Sequence, residues 1–146
     1  MATATSTRSL QCVIVTPERA VVDEQADFVA LPLYDGEIGI LPGRAPLVGR
    51  LGYGELRIKR GGQTKRFFVD GGFVQVRANV VTVLTPRAIP AAELKVDAAR
   101  QALDAARATH PRNPVEQAGK EKAQARARAQ LRILGATPAS AHEAHG

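Results

Sequence analysis

Alanine and glycine divide this chain between them. Residues 1–87 hold 7 alanines and residues 88–146 hold 18, while 10 of the 13 glycines lie at or before Gly72. Glycine supplies the positive φ of tight turns and alanine is the strongest helix former, so the two halves are bound for different secondary structure. The change falls near Thr85-Pro86-Arg87, where proline biases the preceding residue away from helix. Four segments are therefore expected: a flexible N-terminus at 1–8, a β domain at 9–86, a helical domain at 87–134 and a disordered tail at 135–146.

The first half alternates short apolar runs with turn residues. Residues 10–16 are β-branched and end at Pro17, and residues 27–31 precede a turn at Tyr34-Asp35-Gly36. Residues 55–60 alternate polar and apolar, which buries one face of a strand. Gly61-Gly62 then links them to residues 64–69 as a hairpin turn. Asp70-Gly71-Gly72 is read as another reversal, into Phe73-Val74-Gln75-Val76, and Ala78-Asn79 leads into residues 80–84. This spacing predicts an all-β sandwich of about ten antiparallel strands.

The second half predicts an antiparallel two-helix hairpin. Residues 90–109 place Leu94, Ala98, Ala102 and Ala106 at helical spacing. His110-Pro111-Arg112-Asn113-Pro114 breaks the pattern, and Pro114 suits the first position of a second helix that stops at Gly135. Alanine offers little side-chain area, so at ~25 cal/mol per Å² the stripe contributes little packing energy. The hairpin is expected to be weakly held, with docked and undocked forms.

Chemistry is sparse. Gly36, Gly39 and Gly43 lack the spacing of a phosphate cradle. His142 and His145 are three residues apart, whereas a helical zinc motif needs four, so no metal site is expected. Cys12 sits in an apolar run as a buried, inert thiol and fits a reducing compartment. No nucleophile–base arrangement appears, so no catalytic residue and no enzyme activity are expected. No run approaches the ~18 apolar residues of a membrane span. The net charge of +6 and pI of 10.1 raise nucleic acid as a partner, with the basic residues Arg57, Lys59, Arg60, Lys65 and Arg66 as the place for it. Only 4% of residues are aromatic, so stacking on bases is poorly served and no nucleic-acid partner is expected.

Three stretches resemble the epsilon subunit of the F-type ATP synthase. One runs Asp35-Gly36-Glu37-Ile38-Gly39-Ile40-Leu41-Pro42-Gly43-Arg44-Ala45-Pro46-Leu47; another is Gly71-Gly72-Phe73-Val74-Gln75-Val76 with Asn79-Val80-Val81-Thr82-Val83-Leu84. The third is the alanine-rich pair ending Ala129-Gln130-Leu131-Arg132-Ile133. The resemblance implies a ten-stranded sandwich followed by two helices, acting as a noncatalytic rotor subunit of the central stalk. It implies that the sandwich binds the gamma subunit and the c ring, and that the hairpin extends toward the alpha/beta catalytic head to inhibit ATP hydrolysis. Asp35, Gly36, Glu37 and Arg44 would then be the c-ring/gamma contacts. Arg44 stands where the family usually has histidine, a permanent charge in place of a titratable one.

Some bacterial members bind regulatory ATP on the hairpin. The matching residues are Asp97 and Arg100, with Arg107 and Arg126 where further phosphate-binding arginines would lie; the same Asp97 and Arg100 have the spacing of an ordinary helix ion pair. No other cofactor is implied. Membrane association would be indirect, through the complex, at the cytoplasmic face of a bacterial inner membrane. The alternatives are a β-sandwich interaction adaptor and a basic nucleic-acid-binding module.

Overall fold

The computed structural model of the chain describes residues 9–135. The expectations of a flexible start at 1–8, a disordered tail after Gly135 and an unliganded His142/His145 pair lie outside the described residues. The chain divides into two compact units, the first ending at Pro90 and the second beginning at Ala91.

The first unit is a β-sandwich built from β1 (Leu10–Val15), β2 (Ala20–Ala26), β3 (Phe28–Leu33), β4 (Gly36–Ile40), β5 (Leu47–Arg60), β6 (Gln63–Arg77), β7 (Val80–Leu84) and β8 (Ala88–Pro90). Their order is β2-β1-β7-β6-β5-β3-β4, with β8 beside β6. Among the described residues eight strands fill the places of the expected ten, because β5 and β6 are long and bent. Asp70-Gly71-Gly72 does not reverse the chain: Gly71 and Gly72, at φ 77° and 114°, bend β6 without ending it. Before the bend Phe67, Phe68 and Val69 pair with β8; after it, residues 73–77 pair with β7. β5 bends opposite, with Leu51 facing Gly72 and Tyr53 facing Asp70.

The ladder is antiparallel except between β1 and β7, which run parallel. A parallel pair needs a long crossover, and here the whole intervening sheet supplies it. Inward residues alternate along each strand, as in Leu10, Cys12 and Ile14 of β1 and Val81 and Val83 of β7. They meet Val29, Leu31, Leu56, Ile58, Val69 and Val74 in one core. Burial, with a smaller contribution from Glu24, pushes the Cys12 thiol up to about 12, so it stays protonated at neutral pH.

The sheet continues past the composition break. Ala88, Ile89 and Pro90 pair with Val69, Phe68 and Phe67, and Pro90 is accommodated because β8 is an edge strand. The helix expected from residue 90 therefore starts later. A 3-10 turn at Ala91–Glu93 precedes α1 (Val96–Ala108), and α2 spans Pro114–Ile133.

In this second unit Ala99, Leu103, Ala127 and Leu131 form a small core with Val96 against it. Of the expected stripe, Ala106 is buried and Leu94 half-buried, while Ala98 and Ala102 are exposed. The stripe is turned by one residue because Leu103 carries far more apolar surface than any alanine. The link between the helices is held by polar contacts. Asn113 caps α2 by accepting from the Glu116 amide at 2.9 Å, with Pro114 in the first turn, and the Glu116 carboxylate accepts from the Arg112 amide at 2.9 Å. The Arg112 amide and guanidinium hold the Glu116 carboxyl below its ordinary range. Lys120 donates to the Thr109 carbonyl at 2.9 Å, satisfying an acceptor at the end of α1. Gly135, at φ 74°, ends α2 as the sequence leads one to expect.

Candidate docking surface

The acidic loop predicted from sequence is a hairpin followed by a turn. Tyr34 and Asp35 connect β3 to β4 with Leu33 opposite Gly36, and Asp35, Gly36 and Glu37 are all exposed. Glu37 accepts from Arg57 at 3.1 Å. At the other end of β4, Leu41-Pro42-Gly43-Arg44 forms a turn closed by the Arg44 amide on the Leu41 carbonyl. Proline second and glycine third at φ 87° give it type II character. The Asn79 side chain accepts from the Gly43 amide at 2.8 Å, tying this turn to the β6–β7 hairpin.

The four predicted contact residues are therefore not one patch. Asp35, Gly36 and Glu37 cluster at the start of β4, while Arg44 lies beyond its far end, and the strand from Gly36 to Ile40 alone spans about 13 Å.

Strand pairing assembles a second feature that no contiguous motif carries. Arg50 of β5 lies opposite Phe73 of β6, Phe73 opposite Leu84 of β7, and Leu84 opposite Val15 of β1. These residues alternate with the buried Val74, Val83 and Ile14, so they share the outer face of one layer. The Tyr34 amide donates to the Arg50 carbonyl at 2.7 Å, and the Arg50 guanidinium lies 4.3 Å from the centroid of the Tyr34 ring. Tyr34, Phe73, Leu84 and Val48 are 68%, 59%, 51% and 77% exposed. Grouped apolar exposure of this kind marks an interaction surface, whereas single exposed apolar residues do not. A groove of about 400 Å³ lined by Val15, Pro17, Phe73, Leu84 and Pro86 runs along the same row.

One sequence signal points to this face. In Phe73-Val74-Gln75-Val76 the buried positions are Val74 and Val76, which leaves an aromatic on the side that alternation reserves for polar residues.

The other predicted residues stand elsewhere. On α1, Asp97 is in the first turn and Arg107 in the last, the signs that the helix dipole favours at each end. Arg100 is exposed between them, and Arg126 is half-buried on α2. The basic hairpin of β5 and β6 is largely neutralised. Arg57 meets Glu37 and Glu55, Arg66 meets Glu55, Lys65 meets Glu24 at 2.9 Å, and Lys59 rests over the Phe28 ring. Among the described residues no group of three or more histidine, cysteine or acidic side chains is placed to hold a metal ion.

Comparison with known proteins locates this architecture. Residues 9–91 match the family model described as ATP synthase, Delta/Epsilon chain, beta-sandwich domain. The chain is 52% identical over 124 residues to the ATP synthase epsilon chain of Rhodopirellula baltica, covering 85% of this chain and 97% of that one. It is 40% identical over 130 residues to the ATP synthase epsilon chain of Nitratidesulfovibrio vulgaris, covering 88% and 97%. Among solved structures, a chain in the mitochondrial ATP synthase OSCP/F1/c-ring of Euglena gracilis superimposes with a TM-score of 0.80 at 23% identity, covering 87% of this chain and 82% of that one. A chain of the Tetrahymena thermophila mitochondrial ATP synthase central stalk and c ring gives 0.67 at 14%, covering 84% and 94%. At those identities the two structures speak for the fold alone.

Proposed function

The chain belongs to the delta/epsilon family of ATP synthase chains, and on that premise we propose that it is the noncatalytic epsilon subunit of the central stalk. It turns with the c ring and couples that rotation to ATP synthesis in the catalytic head. The reading is carried by one observation: the row of exposed Phe73 and Leu84 and half-buried Val15 with its groove, on the outer face of the sandwich. A subunit with no active site acts by being held, and this face is where holding is energetically favourable.

The gamma subunit occupies that face. The c ring meets the turn of the β3–β4 hairpin at Asp35, Gly36 and Glu37. Arg44, at the other end of β4, serves a separate contact. The alanine-rich hairpin regulates by extending toward the alpha/beta head, which its small core supports. No helix among the described residues is long and apolar enough to cross a membrane; attachment at the cytoplasmic face of a bacterial inner membrane runs through the complex.

Titration of the chain against the gamma subunit tests the docking reading. Phe73→Ala is expected to weaken binding about 10-fold or more, the scale of a central interface aromatic. Undiminished binding would take the Phe73 end of the row out of the gamma contact. For regulation, a chain ending at Pro90, which retains β8, is expected to bind gamma normally and to raise ATP hydrolysis by the assembled complex. Unchanged hydrolysis would remove the inhibitory role and leave the coupling role intact.

A further inference from the structure

From the Tyr34–Arg50 stack we infer that Arg50 is the charge-selecting anchor of this face and seats a carboxylate of the gamma subunit, an assignment that rests on the docking reading above. Arg50 is placed by three constraints. Its carbonyl accepts the Tyr34 amide at 2.7 Å, its guanidinium lies 4.3 Å from the Tyr34 ring centroid, and its neighbour across the ladder is Phe73. A cation–π contact at this distance engages the guanidinium's charge without spending its N–H groups on a carboxylate. Those groups match a carboxylate bidentately, and a side chain already held in place loses little entropy on binding.

Arg57, Lys65, Arg66 and Arg112 each meet a carboxylate within the chain. Arg50 meets none among the described residues, as is also true of Arg44 and Arg77, and what sets it apart from them is the Tyr34 ring that holds it. A guanidinium oriented by an aromatic ring, beside an exposed Phe73, has the composition of an interface hot spot. Apolar neighbours that exclude water strengthen a charge pair formed there. The ligand chemistry is a single carboxylate on a mostly apolar partner surface, since tracking of phosphates calls for a series of cations.

The test titrates full-length parent, Arg50→Gln, Arg50→Lys and Phe73→Ala against the gamma subunit at low and at physiological salt, with melting temperatures confirming that each variant folds. Arg50→Gln is expected to weaken binding about 10-fold or more and to flatten its salt dependence. Arg50→Lys restores the salt dependence but only part of the affinity, because an ammonium neither stacks nor bonds bidentately. If Phe73→Ala weakens binding while Arg50→Gln stays within about twofold of the parent with an unchanged salt slope, the anchor is refuted and the docking reading stands. If neither variant weakens binding, the docking reading fails and the anchor falls with it. Loss in Arg50→Gln alone keeps the anchor and centres the contact on the Tyr34 end of the row.

Discussion

Gly72→Ala is expected to remove a large share of the sandwich's stability. A Cβ at position 72 would stand 2.0 Å from the Leu84 carbonyl oxygen and 2.9 Å from the Thr85 Cα, both backbone atoms that move only if β7 moves. Gly72 also has φ 114°, where an L side chain is strained in its own right. β7 joins β6 to β1, so displacing it opens the sheet at its middle. A loss of about 4 kcal/mol or more follows from such a mechanism, against a total stability of roughly 5–15 kcal/mol for a domain. Gly62→Ala provides the control: its φ is also positive, at 83°, yet nothing lies within 4 Å of an added Cβ. It should lose only about 1–2 kcal/mol, the conformational penalty alone. Urea denaturation of the two variants checks the difference, and equal midpoints would mean that β7 yields more easily than its pairing implies.

Leu103→Ala is expected to destabilise the helical hairpin by about 3 kcal/mol, within the range for truncating a buried leucine. The effect is large because the hairpin core holds only two leucines, Leu103 and Leu131, beside alanines and Val96. Helix propensity cannot offset the loss by much, since leucine and alanine are both strong helix formers. Amide hydrogen exchange reads the result: protection in α1 and α2 should fall about 100-fold, at 1.4 kcal/mol per decade, while protection in the sandwich stays the same. Equal loss in both units would mean that they open as one. Were exchange in the helices unchanged, Leu103 would not be the residue that holds them together.

Much of the fold was legible because its signals are local. The alternation in β1, the Gly61-Gly62 hairpin, Pro114 opening α2 and Gly135 closing it each depend on neighbours a few residues away. The same locality explains the misreadings. Asp70-Gly71-Gly72 has the composition of a turn, and only the different partners on its two sides make it a bend within one strand. An alanine-rich helix carries almost no information about which face is buried, so the stripe through Ala98 and Ala102 was indistinguishable from the real one through Ala99 and Leu103.

The candidate site was less accessible to sequence. Asp35 and Arg44 are nine positions apart in one motif, and the straight course of β4 alone puts them at opposite ends of a strand. Tyr34, Arg50, Phe73, Leu84 and Val15 come from five separate stretches of chain. Periodicity and turn chemistry act over a few residues, and from them come the alphabet of elements and the division between a turn-punctuated sheet and an alanine hairpin. Which outward side chains stand beside one another emerges only in three dimensions. That depends on register between distant strands, and register is set by how the buried faces pack together.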